Sequence, residues 1–76
     1  MLDTVDVAKN FGKFVRIHRV GCELTQKEVA DLVGISQVQY SRIERGLRIV
    51  DLPLAMRICQ TLQTDLSKFI SNYIEM

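Results

Sequence analysis

The sequence predicts an all-α domain of five short helices. Apolar residues recur at spacings of three and four through five separate segments and never alternate over a strand's length. Each segment opens on a residue that can cap a helix: Asp3 or Thr4, Thr25, Ser36, Asp51, and Thr64 or Asp65. The composition agrees. With no Trp, one Pro and four Gly, there is little of a β-sandwich, a linker or a disordered tail. At 76 residues, 47% hydrophobic and 25% charged, the chain has the material for one domain over residues 1–76 and a small core.

The first helix is expected from Asp3 to Arg19. Val7, Ala8, Phe11, Val15 and His18 share its apolar side with Phe14 beside them, and Lys9, Lys13 and Arg16 lie opposite. Five potential cations and no acid stand between Lys9 and Arg19, counting His18. Gly21 is the expected breaker. The second helix has a capping box, Thr25 with Glu28, and an apolar face of Val29, Leu32 and Val33. Gly34 stops it in a conformation that glycine adopts without a Cβ clash. Ser36 and Gln39 form a second capping box, after which Tyr40 and Ile43 point one way and Gln37, Val38, Ser41 and Arg42 the other. Two caps and a glycine stop within so short a stretch make residues 25–45 a helix-turn-helix. Gly46 ends it, and Asp51 opens the fourth helix with Pro53 in its first turn. Leu52, Ala55, Met56, Cys59 and Leu62 mark its expected buried side, flanked by Ile58. The fifth helix, near 65–75, carries Leu66, Phe69, Ile70, Tyr73 and Ile74, more apolar residues than one core-facing stripe needs. The surplus reads as a dimer surface of Phe69, Ile70, Tyr73 and Ile74.

Several function classes fall away. The formal charge is only +1, so global charge does not argue for nucleic acid and only its distribution can. Four Arg against Glu44 and Asp51 lie between Ser36 and Arg57, while Asp3, Asp6, Asp65 and Glu75 sit towards the ends. No apolar run approaches a membrane span, and the N-terminus has no continuous apolar stretch of a secretory signal. Cys22 and Cys59 have no metal or redox spacing and read as reduced thiols of a cytoplasmic protein. The lone His18 has no evident carboxylate or thiol partner, and there is no phosphate-cradling glycine loop. Neither an enzyme, nor a metal, nor a cofactor is expected.

From Gln26 to Arg45 the sequence resembles the Cro/XRE helix-turn-helix family, which includes the phage lambda-type repressors. The resemblance rests on Gln26, Ala30, Gly34, Ile35 and Ser36, and continues into Ile43-Glu44-Arg45-Gly46 and Arg48. It extends from about Phe11 to Ile70. It departs at Tyr40, where the family usually has Val or Ile, and at Val50, where it often has Pro. The resemblance implies a compact five-helix lambda repressor-like DNA-binding domain with the helix-turn-helix at helices 2 and 3. It implies that Gln37, Val38, Gln39, Ser41 and Arg42 read base edges. Arg16, Gln26, Ser36, Arg45 and Arg48 would contact phosphates, and Arg19 and Glu44 would form a buried ion pair.

The expected function is therefore a sequence-specific DNA-binding transcriptional regulator, a repressor or autoregulator. It would bind double-stranded DNA at a palindromic operator as a homodimer. No small-molecule effector is expected, and regulation would come from the protein's own concentration or a partner protein. The competing reading is a protein-interaction module of the same fold that works through its apolar last helix.

Overall fold

The computed structural model describes residues 3–75, with side chains through residue 72. The described residues form five helices: α1 (Thr4–Gly21), α2 (Gln26–Val33), α3 (Gln37–Glu44), α4 (Leu52–Thr61) and α5 (Leu66–Glu75). Among the described residues there are no strands. The local chemistry explains the boundaries. Asp3 caps α1 by accepting from the Val5 N–H at 2.8 Å, and Asp51 caps α4 by accepting from the Leu54 N–H at 2.9 Å. Both capping boxes form in full: Thr25 with Glu28 on α2, and Ser36 with Gln39 on α3. Gly34 and Gly46 take left-handed backbone, at φ 83° and 73°.

The core is one apolar cluster, to which α1 contributes Phe11 and Val15, α2 contributes Val29, Ala30 and Val33, and α3 contributes Tyr40 and Ile43. From below, α4 supplies Leu54, Ala55, Ile58 and Cys59, and α5 supplies Phe69. The Phe69 ring meets Phe11 edge-on at 5.3 Å and Phe14 at 5.4 Å, an aromatic seam that ties the last helix to the first. His18 lies against Phe14, 4.5 Å between ring centres, as a core-edge aromatic. No helix is long and apolar enough to cross a membrane among the described residues.

Four expectations need correction. Gly21 does not break α1. The helix runs through it, and the left-handed residue that reverses the chain is Glu23, at φ 60°. Leu32 is not on the buried face of α2: it is 66% exposed, and Ala30 takes its place. On α4, Leu52 and Met56 are exposed while Leu54 and Ile58 are buried. With Pro53 in the first turn, Leu54, Ile58 and Leu62 form an i, i+4 row that turns Leu52 outward. Phe69 belongs to the protein's own core at 8% exposed, so it cannot serve a dimer surface without leaving the aromatic seam. Of the remaining residues of that expected surface, Ile70 is exposed, and the side chains of Tyr73 and Ile74 lie outside the described ones.

Candidate nucleic-acid interface

Helix α3 is held from behind and free in front. Tyr40 and Ile43 are fully buried, so every rotation of α3 about its axis is resisted by packing. Half a turn of helix separates the anchors from the opposite face. On that face Gln37, Val38, Ser41 and Arg45 gather with Gln26 of α2 around one shallow surface depression. Val38 is 62% exposed, an apolar side chain kept in water amid amides and a guanidinium. Arg42 is exposed but lies one position further round the helix, at the edge of this cluster, whereas Arg45 stands within it.

The second capping box costs Gln39 some of its freedom. Its Oε1 accepts from the Ser36 N–H at 3.1 Å, which turns the side chain back along the helix start and away from the Gln37–Arg45 cluster. Ser36 Oγ accepts from the Gln39 N–H at 3.1 Å, leaving the hydroxyl proton to donate outward.

Behind the exposed face lies a polar network. Arg19 Nε donates to Glu44 Oε2 at 2.6 Å and Arg19 Nη2 to Glu44 Oε1 at 3.1 Å, a two-pronged contact between α1 and the end of α3. Arg19 Nη1 donates to the Leu24 carbonyl at 2.8 Å, which ties the α1–α2 connection to the same guanidinium. Gln26 Nε2 donates to Glu44 Oε1 at 3.0 Å. Burial pushes the Glu44 carboxyl up, but the bonds from Arg19 and Gln26 and the nearby Tyr40 hydroxyl outweigh it, and the group titrates below the usual carboxylate range. The Tyr40 hydroxyl is buried beside this pair without a hydrogen bond of good geometry. Burial, then Glu44, holds its ionisation far above the ordinary tyrosine value, so it stays neutral.

What holds α1 against α3 could not be anticipated from spacing. Gly12 is buried, and a Cβ there would lie 2.5 Å from the carbonyl oxygens of Ile43 and Glu44. Glycine lets the two backbones touch just where the Glu44 network is anchored. Its signal in the sequence is a lone glycine within an otherwise good helix. The Gln26–Glu44 bond was equally unforeseen, since the resemblance assigns Gln26 to a phosphate.

The other expected phosphate contacts are scattered. Arg16 is exposed on the outer side of α1 with Lys13, Ile17 and Val20, apart from the α3 cluster. Arg48 is partly buried. It lines an apolar groove of about 300 Å³ between α1, the 47–51 loop, α4 and α5, and its Nη1 is shut off from solvent without an acceptor. Cys59 is buried and its thiol is pushed up to about 11, by burial first and Asp65 second, which makes it inert at neutral pH. Cys22 Sγ donates to the Leu62 carbonyl at 3.3 Å. Among the described residues no cluster of His, Cys, Asp or Glu could hold a metal ion.

The helix-turn-helix family model of the Cro/C1, XRE-like type matches residues 15–69. The chain belongs to this family. As an XRE-like helix-turn-helix protein it is a DNA-binding domain of transcription regulation, and its family is not one of enzymes. Solved structures agree on its fold. The restriction-modification controller protein C.AhdI from Aeromonas hydrophila is 25% identical, with a TM-score of 0.81 over 90% of this chain and 99% of that one. Two crystal structures of the clp gene regulator ClgR from Corynebacterium glutamicum are 23% and 24% identical, with TM-scores of 0.81 and 0.80. They cover 84% and 83% of this chain and 68% and 81% of their own. Comparison with curated protein sequences gives no match.

Proposed function

We propose that this XRE-like protein is a cytoplasmic, sequence-specific transcription regulator, a repressor or autoregulator, that binds a palindromic operator as a homodimer with α3 in the major groove. One observation carries the reading: the front of α3 shows a mixed polar and apolar set while its back is locked by Tyr40, Ile43 and the Arg19–Glu44 pair. Gln37 can bond adenine through its amide oxygen and amino group together, Val38 can pack on a thymine methyl, and Arg42 or Arg45 can bond guanine. The start of α2 and the Ser36 hydroxyl offer donors to phosphate, and Arg16, Arg45 and Arg48 add charge. The similarity to a restriction-modification controller supports a regulator built on this fold.

Selection of bound duplexes from a random pool tests the reading, since it yields motif, half-site spacing and dimer state together. Arg42→Ala is expected to cost about 1–3 kcal/mol on the selected duplex and to relax one base preference. Unchanged affinity in that variant would overturn the docking. The interaction-module reading predicts no selected motif and tight binding to a protein partner.

A further inference from the structure

We infer that Lys9 of α1 grips the DNA phosphate chain beside the end of α3, a contact that falls to Lys9 because Arg48 is drawn into the apolar groove. The inference rests on the proposed docking of α3 and reassigns one phosphate within it.

Gly46 follows the C-cap of α3 and has no room for a side chain. A Cβ there would lie 2.7 Å from both the Cα and the Cγ of Lys9. The Lys9 stem is therefore laid across the end of α3, beside the residue that follows Arg45 of the front cluster. It approaches from the side of α1 that touches α3, since Lys9 and Gly12 stand one helical turn apart on neighbouring positions of that side. Lys9 is nonetheless exposed. The ion pairs among the described residues are Arg19–Glu44 and Lys27–Asp31, so no carboxylate holds the Lys9 ammonium, not even Asp6 one turn back.

The loop beyond α3 is poorly made for this contact. Leu47 and Ile49 are each 66% exposed and carry no charge. Arg48 lines the apolar groove with α1, α4 and α5, and one of its guanidinium nitrogens is closed to solvent. In the proposed docking, α3 with its side chains is about 10–12 Å across and fills a major groove about 12 Å wide. The phosphate chains then run along its flanks, and a cation rising beside its end meets one. Lysine needs no fixed direction for this, because a point charge on a flexible stem finds a phosphate by reach. With the Ser36 hydroxyl at its start and Lys9 beside its end, α3 is held to phosphate at both ends.

The test is the salt dependence of binding by the full chain, as wild type, Lys9→Met, Lys9→Arg and Arg48→Met, on the selected duplex and on a random one. Methionine keeps the stem that packs on Gly46 and removes the charge. Each phosphate contact contributes about 0.9 to the slope of log affinity against log salt, a factor of about eight between 1 M and 0.1 M. In Lys9→Met the slope should flatten by about 0.9 on both duplexes, and affinity at 0.1 M salt should fall about eightfold. Its selected motif and melting temperature should match those of wild type. Lys9→Arg should restore the wild-type slope, and Arg48→Met should keep it. A wild-type slope in Lys9→Met would overturn the inference, and so would a slope lost in Arg48→Met instead. A lower melting temperature with an unchanged slope would make Lys9 a cap on the α3 carbonyls and overturn it equally. Should wild type bind neither duplex, the DNA-binding reading itself fails. A wild type that binds, with Lys9→Met binding alike, removes this inference alone.

Discussion

Helix α1 has two working sides, and they are built differently. Against α3 the contact is backbone on backbone at Gly12, closed by the Arg19–Glu44–Gln26 network and the buried Tyr40. Against α5 and the 47–51 loop it is apolar, closed at the Phe11–Phe69 ring contact and open beside it. A groove of about 300 Å³ lies there, and Ile49, Leu52 and Ile70 are exposed around it at 66%, 62% and 46%. The tight side sets where α3 points. The open side leaves apolar surface for another chain, where the homodimer would form. Orientation needs directional bonds with little slack, while association needs area, and in the proposed homodimer adjoining faces of one helix would serve the two.

The largest effect is expected from breaking the tight side. Arg19→Met leaves the Glu44 carboxylate buried without its cation and should destabilise by about 3–5 kcal/mol in urea unfolding at neutral pH. The sign of its pH dependence follows from Glu44. Its pKa is lower in the folded than in the unfolded state, so the stabilisation is present above the ordinary carboxylate range and lost as pH falls through the folded value. The gap between variant and wild type should therefore close on acidification. A gap that stays constant with pH would mean that the pair contributes packing and not charge.

Gly12→Ala comes next, at about 3 kcal/mol, because the added methyl meets two backbone carbonyls that cannot move singly. It should also lower affinity for the selected duplex, since α3 must shift to admit it. On the open side, Ile70→Ser should change unfolding stability by no more than about 0.5 kcal/mol. Sedimentation should nonetheless show its dimer dissociating more readily, by about tenfold, the equivalent of losing part of one buried apolar side chain. An unchanged dimer would move the twofold contact off this face. The smallest effect is a gain. A Cβ on Gly21 meets nothing within 4 Å and the residue is helical, so Gly21→Ala should stabilise by about 0.5–1 kcal/mol. The two glycines of α1 thus respond with opposite signs to the same substitution, according to whether α3 lies against them.

Much of the fold is legible in the sequence. The caps at Asp3, Thr25, Ser36 and Asp51 are local, each needing only a side-chain oxygen a few residues from a free N–H, and each forms as the spacing predicts. The turn at Gly34 and the burial of Tyr40 and Ile43 follow from the same short-range logic. The family resemblance also placed Arg19 opposite Glu44. What stayed hidden is long-range. A helical stripe says that one face is buried but leaves its centre open by a residue, and Leu32, Leu52 and Met56, at the margins of their stripes, turn outward. Nothing near Phe69 tells that its ring closes on Phe11 and Phe14 rather than on a second chain.

By itself, then, the sequence determined the number of helices, their starts, and which residues of α3 face in and which face out, because capping and periodicity act within a few residues. Tertiary structure alone decided that Gly12 is a contact and Gly21 is not, and that Glu23 rather than glycine reverses the chain after α1. It also decided that the amide of Gln26 is turned by a carboxylate eighteen residues away. Those outcomes depend on which surfaces meet when the helices pack, and a side chain's partners across such a contact are set by the whole fold.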